Sequence, residues 1–167
     1  MLNKKEIVLD VLRFNGLDLQ YVNGALKDDL DVIKTAIYSN PEAIQYVRTN
    51  IPEELILDAF ARIKSKIEKD CKKFRLQTDD VLRFAGLYHY TLLNIYRITN
   101  KVKENLPEYF NDANFMLKLV DIDQELQKFA SAEVQSNKAF LDATRDYVSP
   151  TTFEVFDMYV QKTKWIG

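Results

Sequence analysis

The strongest constraint on this chain is that it repeats itself. Asn15-Gly16-Leu17-Asp18-Leu19-Gln20-Tyr21-Val22 returns twenty-five positions later as Asn40-Pro41-Glu42-Ala43-Ile44-Gln45-Tyr46-Val47, with Asn, Gln, Tyr and Val in register. An acidic residue and an apolar stretch precede each copy: Glu6-Ile7-Val8 with Val11-Leu12, then Asp31-Val32-Ile33 with Ala36-Ile37. Glu54-Leu55-Ile56 with Ala59-Phe60 begins the unit a third time. The same offset recurs late in the chain, where Phe140-Leu141 answers Phe115-Met116, with Ala143-Thr144 answering Leu119-Val120 one position short of it. There Leu126 and Phe129-Ala130 stand where Leu19 and Tyr21-Val22 stood. Asp80 to Leu87 also echoes Asp10 to Leu17 with one difference, although the sequence after it diverges. Self-similarity at this period marks stacked supersecondary units, each burying an apolar face that it cannot bury alone.

Each unit reads as a longer helix, a tight turn and a short helix. Apolar residues recur at three and four, and only four glycines and four prolines interrupt 167 residues, so no β alternation is sustained. The expected fold is all-α, a helical repeat or bundle of alternating long and short helices. Helices are predicted over 3–15, 17–24, 28–39, 41–48, 52–74, 79–101, 106–120, 123–130, 132–147 and 150–163. Asn50-Ile51-Pro52-Glu53 and Asn105-Leu106-Pro107-Glu108 read as helix starts, with an asparagine N-cap, an early proline and a capping-box glutamate. Residues 1–167 are expected to form one domain, with a repeat pair over 1–60, a long helix pair over 61–104 and a second repeat pair over 105–167.

The pattern of acidic residue, apolar helix, Asn-Gly and Leu-x-Tyr-Val resembles an uncharacterised bacterial repeat domain of about 50 residues, equal to two of these units and named only as a domain of unknown function. It is found in tandem in large bacterial proteins, some of them effectors delivered into host cells. Residues 4 to 60 carry the resemblance best, 112 to 147 more loosely, and Glu53 to Lys101 depart from it. No catalytic residue comes with that family, so the resemblance implies helical packing and protein binding.

Composition narrows the function by exclusion. No stretch approaches the roughly 18 uninterrupted apolar residues of a membrane span, and Glu6, Asp10 and Arg13 interrupt the N-terminal apolar segment, so no signal peptide is read there. A single cysteine, Cys71, rules out an intramolecular disulfide and fits a cytoplasmic location, with signal-less export as the alternative. A net charge of −2 argues against a dedicated duplex-DNA binder. Phosphate loops, dinucleotide fingerprints, nucleophile elbows and zinc spacings are all missing. Asp121-Ile122-Asp123-Gln124-Glu125 opens like a calcium loop, but Leu126 and Ala132 occupy the positions that need Gly and Glu. Asp28-Asp29 and Asp79-Asp80 fall where helices begin, where carboxylates favour the helix dipole. We therefore expect no enzyme activity, cofactor, metal or small-molecule substrate.

The sharpest charge feature is the stretch 62–75, where seven basic residues face only Glu68 and Asp70. Phe60, Ile63, Ile67, Cys71 and Phe74 follow a core stripe, which leaves Arg62, Lys66, Lys69 and Lys73 as an adjoining basic ridge. Such a ridge is either a solvated face or a contact for phosphates or an acidic protein. Cys71 reads as a buried, inert thiol, and His89, the only histidine, as packing. Tyr88, His89 and Tyr90 lie in a tyrosine-rich segment of the kind enriched at interfaces. The partner-binding residues expected are thus Arg62, Lys66, Lys69, Lys73, Tyr88, His89 and Tyr90. The expected function is a non-enzymatic protein-binding regulator or inhibitor of a protein or ribonucleoprotein. One concrete version is a phage or mobile-element inhibitor of a host defence nuclease, anti-CRISPR-like. RNA binding through 62–75, or a secreted bacterial effector domain, is the alternative.

Overall fold

A computed structural model describes the backbone of residues 4–77 and 81–147 and the side chains of 4–73 and 90–147. Among the described residues the fold is all-α, with no strand. Helix α1 (Lys4–Phe14) leads through the 3₁₀ turns η1 (Gly16–Tyr21) and η2 (Gly24–Lys27) to α2 (Leu30–Ser39) and η3 (Pro41–Tyr46). Two 25-residue helices follow, α3 (Glu53–Gln77) and α4 (Val81–Asn105). Then come α5 (Pro107–Phe110), α6 (Ala113–Ile122), η4 (Gln124–Phe129), α7 (Ala132–Ser136) and α8 (Lys138–Thr144). None of the described helices is long and apolar enough to cross a membrane. The predicted helix over 150–163 lies outside the described residues.

The repeat is real at atomic detail, and its most exact pair is α2–η3 against α6–η4. Asp29 and Asp112 are the N-caps, each side chain accepting from the second and third helical amides: Asp31 and Val32 in one, Asn114 and Phe115 in the other. The next four buried positions coincide, Val32, Ile33, Ala36 and Ile37 against Phe115, Met116, Leu119 and Val120. Both helices then stop at an extended residue, Asn40 or Asp123, whose amide donates to the carbonyl four back. The side chain of that same residue caps the 3₁₀ turn by accepting from Glu42 N or Glu125 N, 3.0 Å in both. One side chain therefore ends each unit's long helix and starts its short one. Asn15 does the same for η1, accepting from Leu17 N.

The second elements are 3₁₀ turns rather than short α-helices, and the predicted 17–24 segment divides into η1 and η2. The capping bond sets their phase. Leu126 comes three residues after Asp123, whereas Leu19 and Ile44 come four after Asn15 and Asn40, so Leu126 is not the exact counterpart of Leu19. Two of the predicted helices are cut by side-chain caps. Asp112 separates α5 from α6, and Asn137, accepting from Phe140 N, separates α7 from α8. Asn105 is not the N-cap of α5. Leu106 holds that place without a side-chain bond, and the Asn105 amide donates to the Gln45 carbonyl. The Asn50 side chain accepts from the Tyr109 hydroxyl. The echo at Asp80 to Leu87 fails where it matters: Ala85 stands in place of Asn15, and α4 runs on through Gly86.

The core joins both repeat pairs to the long helices. Leu12, Leu19, Ile33, Ile37 and Ile44 share it with Ile56, Phe60, Ile63, Ile95, Ile98, Phe110 and Phe115, all fully buried or nearly so. Polar bonds fix the register between elements. Gln45, itself buried, accepts from Arg97 Nη1 at 2.7 Å, and Lys64 Nζ sits 2.7 Å from the buried Asp123 carboxylate.

Candidate functional site

The C-terminal ends of α1 and α2 and the basic face of α3 are laced into one edge by bonds to backbone carbonyls. The Ser39 hydroxyl donates to the Arg13 carbonyl and accepts from Gly16 N, each at 3.2 Å. The Arg62 guanidinium reaches from α3 and donates to the carbonyls of Ile37 and Tyr38 at 3.0 and 2.9 Å. Those carbonyls belong to the last turn of α2, which has no intrahelical donors for them, so Arg62 serves as a cation at the negative end of that helix. One turn along α3, Lys66 pairs with Glu42 Oε1 at 3.0 Å and ties η3 to the same helix. Lys69, Lys72 and Lys73 continue outward, exposed and with no ion pair among the described residues.

The sequence-predicted ridge thus divides by task. Arg62 and Lys66 are spent on holding the repeat pair to α3, while Lys69 and Lys73 face solvent. Between Arg62, Ser65, Lys66, Lys69 and Asp70 the surface forms a shallow depression of about 280 Å³. Two large aromatics are exposed at the ends of the first two helices: Phe14, 94% exposed at the end of α1, and Tyr38, 60% exposed at the end of α2. A phenyl ring left in water forgoes roughly 1.5–3 kcal/mol of burial, so its placement is a feature to account for. Of the tyrosine-rich segment, Tyr90 is exposed on α4. The side chains of Tyr88 and His89 lie outside the described residues.

A second polar cluster, absent from the sequence reading, surrounds the buried Glu125. Tyr96 and Tyr147 donate their hydroxyls to its two oxygens at 2.5 and 2.9 Å, and Lys128 Nζ lies 3.5 Å away. The same ammonium sits over the Tyr96 ring, 3.2 Å from its centroid. Burial, the hydrogen bond to Glu125 and the charge of that carboxylate push the Tyr96 phenol well above the ordinary tyrosine range. A phenol held neutral is a poor nucleophile at neutral pH. A cavity of about 530 Å³ lies beside them, lined by Lys128, Phe140, Leu141 and Tyr147 among others.

The remaining candidates have structural explanations. Asp121 to Glu125 is the end of α6 and the cap of η4, with Asp123 paired to Lys64. Among the described residues no group of His, Cys, Asp and Glu is arranged to hold a metal ion. Cys71 is half-buried rather than fully buried, because α3 has begun to leave the core by that turn; burial still raises its thiol. Such a thiol is weakly nucleophilic.

Comparison with known proteins gives one match. The sequence model of a family described as a domain of unknown function (DUF4116) matches residues 4–51. Those residues are α1 through η3 and the loop to α3, the first repeat pair, so the similarity covers the segment on which the capped unit is first built. No curated protein and no solved structure matches the chain.

Proposed function

We propose that this chain is a non-enzymatic protein-binding module whose contact surface is the edge formed by Phe14, Tyr38, Lys69 and Lys73. The observation that carries the reading is that Phe14 and Tyr38 stand exposed at the ends of helices bonded to one another and to α3, whose Lys69 and Lys73 are exposed with no ion pair among the described residues. Aromatic anchors with a charged surround are the composition of protein interfaces, where a few such residues carry most of the affinity. The lysines add steering toward an acidic partner. A regulator or inhibitor of a macromolecular complex is the finer version of this reading, and it requires that the partner's activity fall on binding.

RNA contact is the second reading, favoured by Lys69, Lys72 and Lys73 standing exposed with no ion pair among the described residues. Salt separates the two. An RNA complex made through several phosphates loses affinity steeply as salt rises, whereas an interface anchored by Phe14 and Tyr38 keeps it. The experiment is capture with the intact chain and with a Phe14→Ala, Tyr38→Ala double variant, each with and without ribonuclease. A partner kept through ribonuclease and lost in the double variant supports the reading. One recovered equally by both removes the aromatics from it.

A further inference from the structure

Helix α8 is a unit of the repeat that docks by its first turn only. Its cap stands twenty-five positions after that of α6 and works in the same way: Asp112 accepts from Phe115 N, and Asn137 from Phe140 N. On that offset Phe115, Met116, Leu119 and Val120 of α6 give way to Phe140, Leu141, Thr144 and Arg145. All four α6 residues are buried, whereas at the later positions Phe140 is buried, Leu141 is 49% exposed, and Arg145 is exposed and paired with Asp142. The difference is already in the residues, since the leucine and valine of the second turn have become threonine and arginine. Thr144 needs no partner across the gap, because its hydroxyl donates to the Phe140 carbonyl.

Where the apolar turn is lost, the cavity of about 530 Å³ remains, lined by Phe140, Leu141, Thr144 and Tyr147 and, from η4, by Glu125 and Lys128. Three residues beyond α8, Tyr147 donates its hydroxyl to Glu125 at 2.9 Å. The receiving end is firm. Glu125 is buried, its other oxygen takes the Tyr96 hydroxyl from α4, and the Tyr96 ring lies against Phe129 and Lys128. The near end is a joint: α7 and α8 meet at the extended Asn137, whose amide donates to the Val134 carbonyl and whose side chain caps α8. A short helix that buries one side chain and stands over a cavity belongs to the part of a fold that opens at low cost.

We propose that α8 is a hinged strap over this cavity. It turns at Asn137, is latched by the hydrogen bond from Tyr147 to Glu125, and opens while α6 and the long helices stay closed. The strap gates access to Glu125 and Lys128. The inference is independent of the Phe14–Tyr38 edge and survives or fails apart from it.

The test is hydrogen exchange of the full chain by NMR, corrected for intrinsic rates. It reads two equivalent amides, Leu141 N on the Asn137 carbonyl and Met116 N on the Asp112 carbonyl. In the native protein Leu141 exchanges at least about tenfold faster than Met116. Tyr147→Phe, which deletes only the latching hydroxyl, speeds Leu141 about tenfold further, the scale of a hydrogen bond to a charged group, and leaves Met116 unchanged. Thr144→Leu restores the residue that α6 has at this place, fills the cavity and slows Leu141. A Leu141 rate that ignores Tyr147→Phe means that another contact holds α8, and overturns the proposal. Equal acceleration of Leu141 and Met116 overturns it too, because the second repeat pair then opens as a block. So does a Leu141 rate unmoved by Thr144→Leu, which takes the cavity out from under the strap.

Discussion

Gly16 rests against the carbonyl of Ala36 so closely that no side chain fits between them; the nearest backbone atoms to an added Cβ are Ala36 O at 2.1 Å and Asn40 N at 2.9 Å. This contact sets the distance between the first two units. Gly16→Ala must push α2 away from η1, an overpacking cost of about 1–3 kcal/mol. Chemical denaturation of the two proteins measures it, and Gly24→Ala is a comparison with a different cause, since Gly24 has open space but a positive φ of 66°.

Arg62 and Lys69 look alike in sequence and differ in task. Arg62→Ala removes the donors to the Ile37 and Tyr38 carbonyls and lowers stability by about 1–2 kcal/mol. Lys69→Glu and Lys73→Glu leave it within about 0.5 kcal/mol, as surface substitutions do. Urea midpoints of the three variants read this directly. A binding loss from reversing Arg62 is therefore a stability effect, and only the outer lysines report on a partner.

Asp123 carries two loads, capping η4 through Glu125 N and pairing with Lys64. Asp123→Asn keeps an acceptor for the cap and loses the ion pair, while Asp123→Ala loses both. The alanine variant is expected to be the less stable by about 1 kcal/mol, the worth of an N-cap. Equal midpoints in thermal unfolding contradict that division.

Lys5 bridges Asp29 and Asp31 at 2.8 and 2.9 Å, joining α1 to the cap of α2. The hydrogen bond to Lys5 lowers the Asp29 carboxyl below its ordinary 3.8, and the bond to Asp29 raises Lys5 above 10.5. A depressed carboxyl contributes stability that is present above 3.8 and lost as pH falls through its folded value. A raised lysine contributes stability present below 10.5 and lost as pH rises through its folded value. The stability gap between the native chain and Lys5→Met is therefore level from about pH 5 to 9 and closes at both ends, as unfolding curves across pH will show.

Much of this architecture was legible in the sequence because the repeat couples two signals, an apolar period and an asparagine that recurs in register. Asn15 and Asn40 were visible only as a residue recurring in register; in the structure they end one element and cap the next. The 3₁₀ character of the second elements was not, since six residues carry too little periodicity to separate three residues per turn from 3.6. Asp112 and Asn137 were readable as caps but sit inside continuous apolar patterns that hide them. Glu125 gave no signal, because its partners Tyr96 and Tyr147 lie 29 and 22 residues away. The role of Arg62 was hidden for a related reason: its acceptors are backbone carbonyls, which no side-chain pattern marks. Phe14 lies two positions beyond Leu12 and so on the opposite side of α1, which the packing bears out: the one is exposed and the other buried.

The central claim, protein binding through the aromatic and basic edge, is tested most directly by affinity capture from bacterial lysate after ribonuclease treatment. The intact chain is compared with a Phe14→Ala, Tyr38→Ala, Lys69→Glu, Lys73→Glu variant whose urea midpoint and helical content match it. The account predicts a specific protein retained by the intact chain and lost by the variant. Equal retention by both, or recovery that vanishes with ribonuclease, would contradict it.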